Sequence, residues 1–411
     1  MSNKLKPAPE VSAAALDQLE RQLDETTLEA VRKSISRWVQ VKKSGGKVVV
    51  VTGSGPNLHE GVTTQLAKLV EMELVDGIIT SSAVVCHELS GALERVRRVD
   101  GAALGLSKEF LASDQRWEVA VISREKWRKL SSQTLLDEAL YEKLLSLPGP
   151  EIIKVAGNMA YPTGLWIERM AREFLPLAQG LGLPLEAVMG PGCDPRTMLG
   201  ACARRAVPCL VSLTQITGGG QVGLSVGDSI SNTRRANILA ELLGSADLII
   251  ESGVALTQDI HDGPLEMYSG HGIWSHYDGH KVYSLKDKLL VRIDLDPQLK
   301  LAWEMERKDH TVAEAIDKGL PKAATMRIPF RMEMSGFARL PGSLPIVGDI
   351  GIIWPLLATG VAQGLGNNLD FVCYKQRTPE GEAIRNYIVN EVEAFDKEMA
   401  LTFARERKAW C

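Results

Sequence analysis

The chain reads as an α/β protein built on a doubly wound, mostly parallel sheet with helices ahead of it, and three observations predict this. Val48 to Val51 is a continuous β-branched run of the length expected for a strand buried on both faces. It runs into a glycine turn, Gly53-Ser54-Gly55, then into apolar residues at helical spacing (Val62, Leu66, Leu69, Val70) and a second apolar run, Val75 to Ile79. Together these make a βαβ unit, and strand and helix patterns keep alternating afterwards.

Before that unit, residues 11–43 carry Leu16, Leu19, Leu23, Leu28, Val31, Ile35 and Trp38 at helical spacing, which predicts two helices. A further helical stretch spans Leu130 to Leu147 and stops at the breaker Pro-Gly-Pro, 148–150. The run 185–189 reads as a short strand ending in GPGCDP, and Pro208 to Leu213 as another ending in TQITGGG. Ser231 to Leu243 is a helical pattern ahead of the apolar SADLIIESGVAL; LLVRIDLDP is a strand with acids at its end; LPIVGDIGIIWPLLATGVAQGL is a strand, a loop and a helix. The expected organisation is an N-terminal helical extension (1–46), a domain (47–375) with an insertion at 299–340, and a C-terminal helix (376–411).

Composition narrows the class. With 411 residues, 45% of them hydrophobic, the chain has room for a sizeable core. Its 47 basic and 51 acidic residues leave a net charge of −4, which supplies no electrostatic footprint for nucleic acid or an anionic membrane surface. No apolar run approaches the roughly 20 residues of a membrane span and no signal-peptide core is present, so a soluble cytoplasmic protein is expected. The six cysteines are scattered without a CxxC pair, which argues against a disulfide framework or a thiolate zinc site.

Ligands of open α/β sheets bind where strands end. The first candidates are therefore Gly53, Ser54, Gly55 and Asn57 after the first strand, and Thr80, Ser81 and Ser82 after the second. GSGPNL lacks the third glycine of GxGxxG, so two readings stand: glycines that only pack, and glycines whose amides approach a phosphate. Asp294 and Asp296 close the LLVRIDLDP strand, where a carboxylate favours a free ribose hydroxyl over the additional phosphate of NADP; capping the segment after Pro297 is the other reading.

These motifs, in their order, resemble the deoxyhypusine synthase-like NAD-binding family, which includes homospermidine synthase. The pattern is carried by GPNLHEGVTTQLAKLVEMELVDGIITSSA, IIKVAGNMAYPTG, GPGCDPRTMLGA, SISNTRRANILAELLGSADLIIES and LPIVGDIGIIWPLLATGVA, and it covers most of residues 47–366. RIDLDP and VGDIG are also similar to the LOR/SDH ornithine cyclodeaminase-type domain. The resemblance implies a Rossmann-type fold with NAD across the strand ends, touched by Ser54, Asn57, Thr80, Ser81, Ser82, Asp194, Asp349 and Ile350. It also implies a tetramer with sites between subunits. For Asp194 and Asp349, helix capping is the alternative.

The densest polar stretch, 257–281, holds four of the seven histidines. Oxidation of an amine by NAD needs a base or carboxylate at the amine and an apolar wall, and His261, Asp262, Glu266 and Trp274 are of those types. The resemblance gives Lys281 the role of an imine-forming lysine; a solvated charge is the plain alternative. No standard metal spacing is present, so no metal is expected. His87 and Glu88, after the second strand, either orient a substrate amine or cap a helix. The expected function is NAD-dependent oxidation of an amine C–N bond to an imine with aminoalkyl transfer and hydride return, on a small amine or amino acid. The alternatives are an ammonia-eliminating ornithine cyclodeaminase-like lyase and a non-catalytic nucleotide-binding or assembly protein.

Overall fold

A computed structural model describes residues 12–53, 55–105, 115–157, 159–253, 287–298 and 342–406, together with isolated positions elsewhere. Helices α1 (Ala13–Glu20) and α2 (Glu25–Lys43) lead into β1 (Val48–Thr52), α3 (Gly55–His59), α4 (Val62–Glu71), β2 (Gly77–Thr80) and α5 (Ser82–Leu89). β3 (Leu93–Asp100), β4 (Arg116–Ala120), α6 (Arg124–Gln133), α7 (Glu138–Ser146), β5 (Glu151–Val155) and α8 (Thr163–Leu181) follow. The chain continues through α9 (Leu185–Met189), α10 (Met198–Arg205), β6 (Cys209–Val211), α11 (Gln221–Ser229), α12 (Asn232–Ser245) and β7 (Leu248–Ser252). It ends with β8 (Leu289–Asp294), β9 (Ser343–Val347), α13 (Ile350–Gly364), α14 (Pro379–Glu391) and α15 (Lys397–Glu406).

The fold is α/β and doubly wound. Six strands form one sheet in the order β6-β2-β1-β7-β8-β9, every neighbouring pair parallel. Counted in chain order this is 3-2-1-4-5-6, with the reversal between β1 and β7. Val48 to Val51 are no more than 1% exposed, because both faces of β1 are covered, and each contributes about 1.5–3 kcal/mol of burial. One face, through Val48, Val50, Ile78 and Ile250, packs with α2, α4, α10 and α13; the other, through Val49, Val51, Ile79 and Ile249, packs with α12.

The two expected N-terminal helices form. Asp24 caps α2 by accepting from Thr27 N at 2.9 Å, and Val31, Ser34, Trp38 and Val41 line its buried face. Trp38 donates to Leu74 O at 3.0 Å and meets Trp354 of α13 edge-on at 6.3 Å. The extension is thus built into the sheet's packing. Among the described residues no helix is long and apolar enough to cross a membrane.

Several elements differ from the sequence reading. Residues 185–189 form α9, not a strand: Pro184 ends the preceding loop and all five positions are buried, so the apolar run carries no alternation to separate the two states. The helical stretch 130–147 is two helices, α6 and α7, each started by a side-chain cap, Ser123 and Asp137. The expected single tail helix is divided as α14 and α15, because Phe395 N donates to Leu89 O at 2.9 Å and Asp396 N to Gly192 O at 2.7 Å. A second, antiparallel sheet, β4-β3-β5, was not anticipated. Its charged strands hide the usual alternation, Arg97 of β3 pairing with Glu151 of β5 across the ladder. The 299–340 insertion lies almost wholly outside the described residues.

One buried ion pair ties the β6 side together. Glu186 of α9 accepts from Val211 N at 3.0 Å and pairs with Arg235 of α12, whose Nη2 donates to Val226 O at 3.0 Å. Both side chains are fully buried, so removing one strands the other's charge. Glu186→Ala is expected to cost about 3–5 kcal/mol in urea unfolding, and the double change Glu186→Leu/Arg235→Met to recover most of it.

Candidate functional site

The β1/β7 reversal sets two strand ends side by side, the position at which open α/β sheets hold a ligand crevice. Gly53 follows β1, Gly253 follows β7, and α3 starts at Gly55. Gly253 has φ +101°, which side chains other than glycine's adopt only with strain. A Cβ placed on Gly55 or Gly253 would meet nothing within 4 Å among the described residues. The other strand-end glycines behave differently. A Cβ on Gly218 would meet Ala83 at 3.1 Å and one on Gly219 would meet Cys86 at 2.9 Å, so the TQITGGG run serves close packing on α5.

A buried relay shapes this crevice. Trp354 Nε1 donates to Ser252 Oγ at 2.9 Å, Ser252 Oγ donates to Asn57 Oδ1 at 2.8 Å, and Asn57 Nδ2 donates to Gly53 O. The ends of β1 and β7 are thereby fastened to α3 and α13. Thr52 Oγ1 and Thr80 Oγ1, at the last residues of β1 and β2, are buried without a hydrogen-bond partner among the described residues. Such groups are costly unless something supplies one.

The remaining expected cofactor residues are placed as follows. Ser81 caps α5, accepting from Val84 N at 3.2 Å, and Ser82 Oγ lies 2.8 Å from Gln215 O and 2.7 Å from Gly218 O. Asp194 accepts from Arg196 N at 2.8 Å and from Glu393 N at 2.9 Å, so its carboxylate is occupied within the protein. Asp294 pairs with buried Arg292 at 3.2 Å and accepts from Asp296 N at 3.0 Å. The segment that starts at Pro297 is capped by Asp296 instead, which accepts from Gln298 N at 2.9 Å. Asp349 caps α13 through Gly351 N at 2.9 Å, beside Ile350. Ser54 lies outside the described residues, as do His261, Asp262, Glu266, Trp274 and Lys281.

His87 and Glu88 lie on α5. Glu88 is fully buried and accepts from Met198 N at 3.0 Å and Leu199 N at 2.8 Å, capping α10. Burial pushes its carboxyl up to about 7 against the help of those amides. His87 Nδ1–H donates to Ala156 O at 2.8 Å, and burial lowers its pKa to about 4, which keeps the ring neutral.

A proton-handling cluster escaped the sequence reading. α3 ends at His59 and is followed by Glu60, both half-buried, only about 7 Å along the helix from Gly55. Glu60 accepts from Gln376 N at 3.4 Å, and a Cβ on Gly351 would come within 1.9 Å of Glu60 Oε2, so glycine at 351 admits the carboxyl against the start of α13. Burial first, and then the neighbouring Asp349 carboxylate, raise Glu60 to about 7. Lys375 Nζ stands 3.8 Å from Asp349 Oδ2. On the His59 side, burial lowers the imidazole pKa, helped by the charges of Arg385 and Lys154. The one available signal is His-Glu shortly after the glycine turn in GPNLHEG, a pair less conspicuous than the denser histidines of 257–281.

Glu60 has a testable pH signature. Below its ordinary value of 4.5 both folded and unfolded chains hold the proton; toward 7 the unfolded chain releases it while the folded chain keeps it. Stability from this group therefore falls across that window and stays low above it. Glu60→Gln should match wild type in urea unfolding near about pH 4 and exceed it near about pH 8. Equal differences at both values would mean an ordinary carboxyl.

No family model matches the chain, and no curated protein matches it. Among solved structures it is similar to AgrE, crystallised in a ternary complex with ornithine and NAD+, at 12% identity over 86% of this chain and 34% of that one, TM-score 0.37. The chain spans about a third of the length of AgrE. It is also similar to a LOR/SDH protein from Methanococcus maripaludis S2, at 12% identity over 88% of this chain and 71% of that one, TM-score 0.36. A third similar structure is a protein assigned as a deoxyhypusine synthase from Entamoeba histolytica, at 9% identity over 88% and 99%, TM-score 0.40.

Proposed function

We propose that this chain is an enzyme that binds NAD across the β1/β7 crevice and oxidises an amine C–N bond of a small amine or amino acid. The observation that carries the reading is the 3-2-1-4-5-6 order of six parallel strands with two glycines, Gly55 and Gly253, that no other described residue crowds at the reversal. Two features support the cofactor: a side chain at either glycine would enter space that no described residue fills, and Thr52 and Thr80 hold buried hydroxyls without a partner among the described residues. NAD is preferred over NADP on the family resemblance, since Asp294 is engaged by Arg292.

A bound nicotinamide supplies a hydride acceptor. The protein's own part is to hold the amine and manage its proton. Glu60, raised to about 7 beside Asp349, takes up and returns a proton near neutrality, the range in which a general acid or base is most effective. His261, Asp262, Glu266, Trp274 and Lys281 follow Gly253 in the sequence, and they complete the proposed amine-binding and catalytic set. His87 supports this set as a neutral positioning group through Ala156.

Calorimetric titration should show NAD binding more tightly than NADP. Gly55→Leu should weaken NAD by about tenfold or more while leaving thermal unfolding unchanged, because the added side chain enters open space. No binding of either nucleotide would overturn the cofactor reading. Incubation with spermidine is expected to release diaminopropane by aminoalkyl transfer. Release of ammonia and proline from ornithine would instead select the lyase alternative. Neither product, with no NAD-linked absorbance change, would leave a binding or assembly protein.

A further inference from the structure

A second cleft lies between the antiparallel sheet and α14, lined by residues other than those at the sheet reversal. It holds about 640 Å³, within the roughly 300–1,000 Å³ typical of small-molecule sites, and is lined by Arg95, Glu151, Ile152, Arg377, Glu382 and Arg385 among others. Its charges do not cancel. Glu151 is held by Arg97 through Nε at 3.1 Å and through Nη2, which leaves three arginines opposite Glu382.

The guanidiniums retain donors. Arg95 uses Nη2 on Asn386 Oδ1, and Arg385 uses Nη2 on Ile153 O at 3.3 Å, while Arg385 Nε is buried with no hydrogen-bond partner among the described residues. Each guanidinium carries five N–H donors in a planar fork, a geometry that suits phosphate oxygens. Burial lowers the Arg385 pKa, so a bound anion would relieve the cost of its charge. Ile152, 39% exposed, offers an apolar wall beside them.

We propose that this cleft is a binding site for a phosphorylated small metabolite, with the phosphate among Arg95, Arg377 and Arg385 and the uncharged body against Ile152. The cleft is distinct from the dinucleotide crevice and stands without it. Its floor is nevertheless continuous with the proton-handling cluster, since Gln376 lines the cleft and donates to Glu60.

Titration calorimetry of the intact chain with inorganic phosphate, glycerol 3-phosphate and acetate tests this. Both phosphates should bind saturably, glycerol 3-phosphate more tightly than phosphate, and acetate more weakly than either. Arg377→Gln, at an exposed position, and Arg385→Gln should each weaken them by about tenfold, with NAD affinity unchanged in Arg377→Gln. Absence of saturable phosphate binding, acetate binding as tightly as phosphate, or unaltered affinity in Arg377→Gln would overturn the proposal. Loss of NAD and phosphate binding together in Arg377→Gln would place the phosphate in the crevice and overturn it too.

Discussion

The relay from Trp354 through Ser252 to Asn57 and Gly53 is the contact on which the functional geometry depends. It joins four polar groups from three parts of the fold, all at the point where the sheet reverses its winding. Asn57 is 2% exposed and Trp354 0%, so no solvent is at hand to replace a broken link. An unmade hydrogen bond there costs about 1–3 kcal/mol, which makes the arrangement all-or-none rather than adjustable. With it in place, the glycine turn, the end of β7 and the start of α3 hold one relative position.

Two consequences meet at α3. Its first residue, Gly55, stands at the sheet reversal and its last residue leads into Glu60, so the short helix joins the strand ends to a carboxyl raised to about 7. Glu60 is raised by burial and by Asp349, and Asp349 is itself fixed by capping α13, the helix that supplies Trp354 to the relay. The elements that shape the crevice thus also set the proton affinity beside it.

Much of the architecture was legible in the sequence because it rests on local signals. The valine run of β1, the helical spacing of α4 and the capped, apolar face of α2 each declare themselves within a few residues. The antiparallel sheet did not, because Arg95, Arg97 and Arg98 of β3 find partners only in distant segments, such as Asn386 and Glu151. Glycine was the most ambiguous letter: the runs after β6 and before α10 look as much like ligand loops as the turn after β1. Only the surrounding atoms separate Gly218 and Gly219, crowded by α5, from Gly55 and Gly253, which no other described residue crowds. For the same reason Glu88 and Asp294 read as site residues, although both carboxylates are occupied by backbone amides or by Arg292. Glu60 carries no such local signal, because the start of α13 that buries it and the Asp349 carboxylate that adds to the rise lie hundreds of residues along the chain.

Amide hydrogen exchange with and without NAD tests the central claim most directly, because it reads the crevice backbone without requiring turnover. Bound NAD is predicted to slow exchange at Gly53, Gly55 and Gly253 and to leave the α14 face of the second cleft unchanged. Protection confined to α14, or none at the sheet reversal when the binding sites are saturated, would contradict the account.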